Sequence, residues 1–303
     1  ISCPVELSKI IFPEPSISLG VTPVKKGEEE KVSAGLHKLQ DEDPTFTLTL
    51  NTETHQALIA GIGEQHIDIL TSKLKAKYGI EVELSDPIIP YREAIKSKIK
   101  VEGKHKKQSG GHGQFGHVWI EFEPGTGEGL QFEEKIFGGS VPKNYIPAVE
   151  KGLKDCIVKG VLAGYPMVNL KATLVDGSYH AVDSSEMAFK VAAGNAYKKL
   201  IDAKPVLLEP INRYEIIIPD DYMGDIMGDI NKRRGRIMGM SPIEGGLQKV
   251  VAEVPYAEMF KYSNDLRSMT QSRGKFSMEY VRYEEVPAQY AEKIIAESKK
   301  EEE

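Results

Sequence analysis

The chain has 303 residues, 40% of them hydrophobic and 28% charged, with a formal net charge of -6 and a pI near 5.8. This composition belongs to a globular chain of two or three domains and excludes a uniformly basic nucleic-acid binder, though not a local basic surface. No apolar run approaches a membrane span and no signal peptide opens the chain, so no membrane partner is expected; Cys3 and Cys156 make neither a disulfide framework nor a zinc spacing, and the expected compartment is the cytoplasm.

Residues 1–14 read as a linker broken by Pro4 and Pro13, and the opening Ile1 points to a piece of something longer. Ile17, Leu19 and Val21 alternate as a short strand. A helix is expected over 28–40, with Val32, Leu36 and Leu39 at i, i+4, i+7, ended by Asp41-Glu42-Asp43-Pro44. Strands follow over 45–51 and 57–61, then a helix over 63–78 carried by Ile67, Leu70 and Leu74, then a strand over 80–84. The order β-α-β-β-α-β over 15–87 is a split βαβ sandwich of the ferredoxin-like kind.

A second unit runs over 88–204. Ile99 and Val101 alternate with charged residues, as do Val118, Ile120 and Phe122, so two strands are expected around the run Lys104-His105-Lys106-Lys107-Gln108-Ser109-Gly110-Gly111-His112-Gly113-Gln114-Phe115-Gly116-His117. Four glycines in seven residues read as a loop, because glycine costs about 0.5–1 kcal/mol inside a helix or strand. A helix is expected over 146–159 with Pro147 in its first turn, and a strand over 166–172. A polar turn over 176–186 follows, and Ser184 or Ser185 is a cap for a helix over 187–201. Residues 205–286 repeat β-α-β-β-α-β, with strands at 213–218, 236–240, 247–254 and 276–283 and helices at 223–234 and 260–270. A terminal helix with a charged tail is expected over 287–303.

Four patterns carry possible chemistry. The basic glycine-rich loop suits a polyanion: its glycines allow close approach and His105, His112 and His117 can donate or accept hydrogen bonds. Its plainer reading is a solvated hairpin. Gly111-x-Gly113-x-x-Gly116 also matches a dinucleotide fingerprint, which would make the chain a dinucleotide-dependent enzyme. A lysine-rich segment precedes it and a strand follows, whereas that fingerprint needs an apolar strand before and a helix after. The histidines lack any ordered metal-ligand spacing, so no metal is expected. Ser184 near His180 invites a nucleophile reading, but no G-x-S-x-G elbow is present and a helix cap explains the serines. Lys232, Arg233, Arg234 and Arg236 surround a helix end; the helix dipole needs only one or two of them, so a phosphate contact competes with a solvated helix end. No G-x4-G-K-[S/T] loop occurs, so no nucleoside triphosphate hydrolysis by that route is expected of these residues.

The run 106–118 closely resembles a loop of bacterial translation elongation factor G, and so does His180-Ala181-Val182-Asp183-Ser184-Ser185-Glu186-Met187-Ala188-Phe189. Glu42-Asp43-Pro44-Thr45-Phe46 and Gly61-Ile62-Gly63-Glu64-Gln65-His66 resemble signatures of that family's third domain. Leu207-Leu208-Glu209-Pro210-Ile211 and Arg233-Arg234-Gly235-Arg236-Ile237 resemble signatures of its fifth. The likeness runs in order through essentially all 303 residues. It implies an α+β chain of three domains: ferredoxin-like domains III (15–87) and V (205–286) flanking an elongated domain IV (88–204) similar to the ribosomal protein S5 domain 2-like fold, with 287–303 as C-terminal helix and tail. It further implies a ribosome-binding arm whose tip loops, 109–116 and 178–184, meet tRNA and mRNA in the decoding site during translocation. Tyr179, His180 and Asp183 lie in the second loop, with His180 as the family's tip histidine. Ribosomal RNA and ribosomal proteins are the implied partners of domains III and V. No cofactor is implied for these residues; GTP and Mg2+ are expected in a G domain upstream. The chain departs from the family pattern at His112, where arginine is usual, at Ala181, where aspartate is usual, and at Ile62 and Gln65, where methionine and leucine are more familiar. The Gly-Gly-His-Gly form resembles a paralogue group, which makes ribosome recycling or another ribosomal role the alternative to translocation.

Overall fold

The computed structural model describes residues 12, 15–108 and 113–301. The linker expected over 1–14 (Phe12 apart), Ser109–His112 of the glycine-rich run, and the last two glutamates lie outside the described residues. The chain divides into two compact units, one formed by 1–90 with 210–282 and the other by 91–209 with 283–303.

The first unit opens with β1 (Ile17–Pro23), α1 (Glu29–Glu42), β2 (Thr47–Leu50), β3 (Ala57–Gly61), α2 (Glu64–Tyr78) and β4 (Val82–Ser85). The sheet runs β2-β3-β1-β4, and its described ladders are antiparallel. Both predicted helical stripes face inward, so Val32, Leu36 and Leu39 bury against Ile67, Leu70 and Leu74. α2 stops at Gly79, whose φ of 68° is the left-handed cap that glycine adopts without a Cβ penalty. Two signature segments meet here. Thr45 donates its N–H and hydroxyl to Asp43, and these bonds, the hydroxyl first, hold the Asp43 carboxyl below its ordinary range. His66 Nδ1 accepts from the Ile62 N–H at 3.2 Å, which leaves Nε2 to donate to Asp43 Oδ2 at 3.1 Å.

The second unit contributes β5 (Arg92–Ile95), β6 (Ile99–Lys107), β7 (Gln114–Pro124), β8 (Leu130–Glu134), α3 (Ile146–Cys156), β9 (Leu170–Ser178) and α4 (Glu186–Tyr197). Its sheet runs β6-β7-β9-β8, antiparallel except for the parallel β8–β9 pair. α3 and α4 supply Val149, Leu153, Phe189 and Ala192 to a core completed by Val118, Ile120, Phe122, Leu170 and Leu174. A buried carboxylate organises one loop: Glu93 accepts the N–H groups of Leu162, Ala163 and Tyr165 at 2.8, 2.8 and 3.1 Å. Burial pushes its carboxyl above the ordinary range, despite those bonds.

β10 (Pro205–Pro219) starts in the second unit, where Pro205–Leu208 pair with β5, and continues in the first. α5 (Met223–Lys232), β11 (Arg236–Ile243), β12 (Leu247–Pro255), α6 (Tyr262–Met269) and β13 (Lys275–Glu285) follow, then α7 (Ala288–Glu301). The strand path β11-β12-β10-β13 repeats the order of the first module, as expected from the repeated element pattern. Within the first unit the two modules touch directly. Arg267 donates to the Ile62 carbonyl at 2.8 Å, Asn264 to Glu64 at 2.7 Å and Ser263 to Ser16 at 3.0 Å.

Three expectations shift. β5 and β8 are additional to the strands expected: the last three residues of β5 are all buried and leave no alternation, whereas β8 does alternate, with Leu130 and Phe132 set among polar residues. The strand expected over 166–172 starts at Leu170 and runs on to Ser178, into what read as a polar turn. Asn169 has φ 52°, which breaks an extended run, and Ala172, Thr173 and Leu174 are all buried, so the alternation that marks a strand is missing. The basic glycine-rich loop is also shorter than it read. β6 extends through Lys107 and β7 begins at Gln114, so Lys106, Lys107, Gln114, Phe115, Gly116 and His117 are strand residues.

Candidate nucleic-acid interface

The paired strands β6 and β7 bring Lys107 opposite Gln114, Lys106 opposite Phe115 and Lys104 opposite His117. Lys104, Lys106, Lys107, Gln108 and Gln114 are exposed. His105 Nε2 lies 2.9 Å from Gln114 Oε1, a cross-strand contact that orders the polar end of the hairpin. Gly116 is buried rather than mobile: a Cβ there would stand 2.4 Å from the Ala188 carbonyl oxygen of α4. Gly103 makes the same close approach one turn further along that helix, where a Cβ would stand 2.1 Å from the Ala192 oxygen. These two glycines let a strand pair lie against a helix face of Ala188, Ala192 and Ala196.

The segment after β9 folds back onto the start of β7. Asp183 Oδ1 accepts the Gly113 N–H at 3.0 Å, and the Asp183 carbonyl accepts the Phe115 N–H at 2.8 Å. Ser184 Oγ donates to the Phe115 carbonyl at 3.0 Å and accepts the His180 N–H at 2.8 Å. Phe115 and Ser184 form an isolated parallel bridge. His180 Nδ1 lies 3.3 Å from both the N–H and Oδ2 of Asp183, and its ring sits 6.5 Å from that of Phe115. Tyr179 and His180 remain exposed. The helix cap expected at Ser184 or Ser185 is Ser185, whose Oγ accepts the Ala188 N–H at 3.2 Å.

The sequence-predicted residues thus separate into three groups. Lys106, Lys107, Gln108, Gln114, Tyr179 and His180 present exposed polar groups at one end of the sheet. Gly113, Phe115, Gly116 and Asp183 knit that end together. His117 belongs to the stem, with Nδ1 2.8 Å from Ser178 Oγ and Nε2 3.0 Å from Glu102. Ser109, Gly110, Gly111 and His112 lie outside the described residues. Ser184 was read only as a cap or a nucleophile. Its link to Phe115 spans 69 residues, and the one signal for it is a second serine where a single cap suffices. The dinucleotide reading meets a strand, β7, which begins at Gln114 and contains Gly116, not the helix N-terminus it needs. Among the described residues no group of three or more His, Cys, Asp or Glu is placed to hold a metal ion, and no helix is long and apolar enough to cross a membrane.

The second basic cluster is divided. Arg233 bonds Asp229 at 2.7 Å, Asp265 at 2.6 Å and the Glu258 carbonyl at 2.7 Å, with its guanidinium over the Tyr262 ring. Arg234, at φ 60°, bonds Glu258 at 2.9 Å. Both guanidinium groups therefore serve the fold around the end of α5, while Lys232 and Arg236 are exposed.

Three family descriptions match in succession: "Elongation Factor G, domain III" over residues 12–86, "Elongation factor G, domain IV" over 87–203 and "Elongation factor G C-terminus" over 206–294. The chain belongs to the elongation factor G family. The knitted end of β6 and β7 falls in the span matching domain IV of elongation factor G, and Lys232–Arg236 in the span matching its C-terminus. Among solved structures, a crystal structure of a protein from Thermus thermophilus is similar, with a TM-score of 0.83 and 43% identity over 96% of this chain and 44% of that one. The chain thus spans less than half the length of that protein. Its mixed α/β sheets are the architecture of elongation factor G domains III to V.

Proposed function

We propose that this chain is the ribosome-binding module of a translational GTPase and that the end of β6, β7 and the 178–184 loop is the surface that meets tRNA and mRNA during translocation. The observation that carries the reading is the joined pair of loops, which sets exposed lysines 104, 106 and 107 beside exposed Tyr179 and His180. Cations attract the phosphate backbone and release its counterions, and tyrosine and imidazole add stacking and hydrogen bonding. Lys232 and Arg236 serve as a separate phosphate contact for ribosomal RNA. GTP and Mg2+ belong to a G domain outside these residues, which contain no G-x4-G-K-[S/T] loop. The residues of this module make and break no bonds; they bind, position and bear load.

The test is single-turnover translocation on programmed ribosomes with the full-length factor, comparing wild type with His180→Ala. Slowed movement with GTP hydrolysis intact is the expected result. A wild type that hydrolyses GTP on ribosomes yet never moves the tRNAs overturns the reading and directs the next assay to ribosome recycling.

A further inference from the structure

We propose that Asp183 is a positioning residue that locks the two loops into one RNA-facing unit and holds His180 with Nε2 directed outward as a hydrogen-bond donor. The proposal rests on the functional reading above and specifies how that surface reads its partner. Asp183 engages both loops with four atoms: Oδ1 takes the Gly113 N–H at 3.0 Å, its carbonyl oxygen takes the Phe115 N–H at 2.8 Å, and its own N–H and Oδ2 each lie 3.3 Å from His180 Nδ1. The fit leaves no spare room, since a Cβ on Gly113 would stand 2.9 Å from the Asp183 carboxyl carbon. Exposure divides the labour, with the Asp183 side chain 25% accessible and that of His180 59%.

The geometry constrains the imidazole. When Nδ1 accepts the Asp183 N–H, the neutral ring carries its proton on Nε2. When the ring is protonated, Nδ1–H turns to Asp183 Oδ2 and Nε2 keeps its proton. In both states the outward nitrogen donates; the tautomer with Nδ1–H donating to Asp183 Oδ2 would leave Nε2 an acceptor, and Asp183→Asn, which offers a donor at that position, would then fail to restore the rate. A lone outward donor pairs with phosphate or ribose oxygens of any sequence, which suits the RNA backbone as its partner.

The experiment uses the full-length factor with Asp183→Ala, Asp183→Asn and Gly113→Ala. Three quantities are read: hydrogen exchange of the Gly113 and Phe115 amides, the single-turnover translocation rate, and the ribosome concentration that half-saturates GTP hydrolysis. Displacing a positioned group by about 1 Å costs up to about 100-fold in rate, so Asp183→Ala is expected to slow movement by about 10-fold or more. It also speeds exchange at both amides and leaves half-saturation unchanged. Asp183→Asn keeps an oxygen for Gly113 and an N–H for His180 Nδ1, and restores most of the rate. Gly113→Ala repeats the loss, and the double variant with Asp183→Ala is no slower than either alone. Unchanged amide exchange in Asp183→Ala overturns the lock. Faster exchange with a wild-type translocation rate overturns the positioning role. If His180→Ala itself translocates normally, the functional reading fails, and amide exchange still decides the lock.

Discussion

Gly103→Ala separates close packing from mobility as the reason for glycine in the hairpin. Gly103 lies within β6, paired with Val118. A Cβ there would stand 2.1 Å from the Ala192 oxygen, 2.9 Å from the Ala196 nitrogen and 2.8 Å from the Ala196 Cβ. Ordinary contact needs about 3.5–4.0 Å, so the overlap exceeds about 1 Å against helix backbone that no rotamer change can move. α4 cannot retreat easily, because α3 approaches it on another side, where a Cβ on Gly152 would stand 2.7 Å from the Lys190 oxygen. Overpacking of this kind costs about 1–3 kcal/mol, and the upper end applies where backbone meets backbone. The stiffer unfolded chain returns about 0.4–1 kcal/mol, leaving a net loss of about 2 kcal/mol. At a urea m-value of about 2 kcal/mol per M, the midpoint falls by about 1 M. Trp119 is the only tryptophan of the chain and faces Glu102 across the ladder, so its fluorescence reports unfolding of this unit. An unchanged or higher midpoint would refute the packing argument.

Gly228 has the opposite environment: it sits inside α5 with nothing within 4 Å of its missing Cβ, so Gly228→Ala stabilises the first unit by about 0.5–1 kcal/mol, read by circular dichroism in urea. Glu93→Gln leaves at least one of three loop amides without its acceptor and costs about 1–3 kcal/mol in the second unit. Because burial raises the Glu93 carboxyl above its ordinary 4.5, the wild type's own contribution is full below that pH and declines as pH rises. Its margin over Glu93→Gln, measured by urea melts from about pH 4 to 8, therefore narrows with pH; a widening margin would reverse the sign of that argument. The basic cluster splits into two kinds of variant. Arg233→Ala strands Asp229 and Asp265 and lowers stability by about 2 kcal/mol, whereas Lys232→Glu leaves the melt unchanged and lowers the salt slope of ribosome binding by about 1 to 2.

The two ferredoxin-like modules were legible because their helices carry regular stripes, and a stripe such as Ile67, Leu70 and Leu74 has one way to bury. The hairpin was legible for the same reason, with Val118, Ile120 and Phe122 turned to the core. What the pattern could not show is what each polar or small residue faces across long separations. Asp43 and His66, 23 residues apart, looked like two unrelated signatures and form one contact. Arg233 and Lys232 looked alike as neighbours in a charge run, and what separates them is Asp229 on the same helix, Asp265 on α6 and the Glu258 carbonyl before it. Glycine is the sharpest case, because the letter records an absence and either mobility or crowding can explain it. Gly103 and Gly116 recur on a strand pair opposite the row Ala188, Ala192 and Ala196 on a helix, and that pairing of small residues at strand and helix periods is a sequence pattern for close contact. Read that way, the glycine-rich run divides at Gly113: the residues after it hold the strand against α4 and Asp183, and that rigidity gives His180 a fixed direction in which to donate.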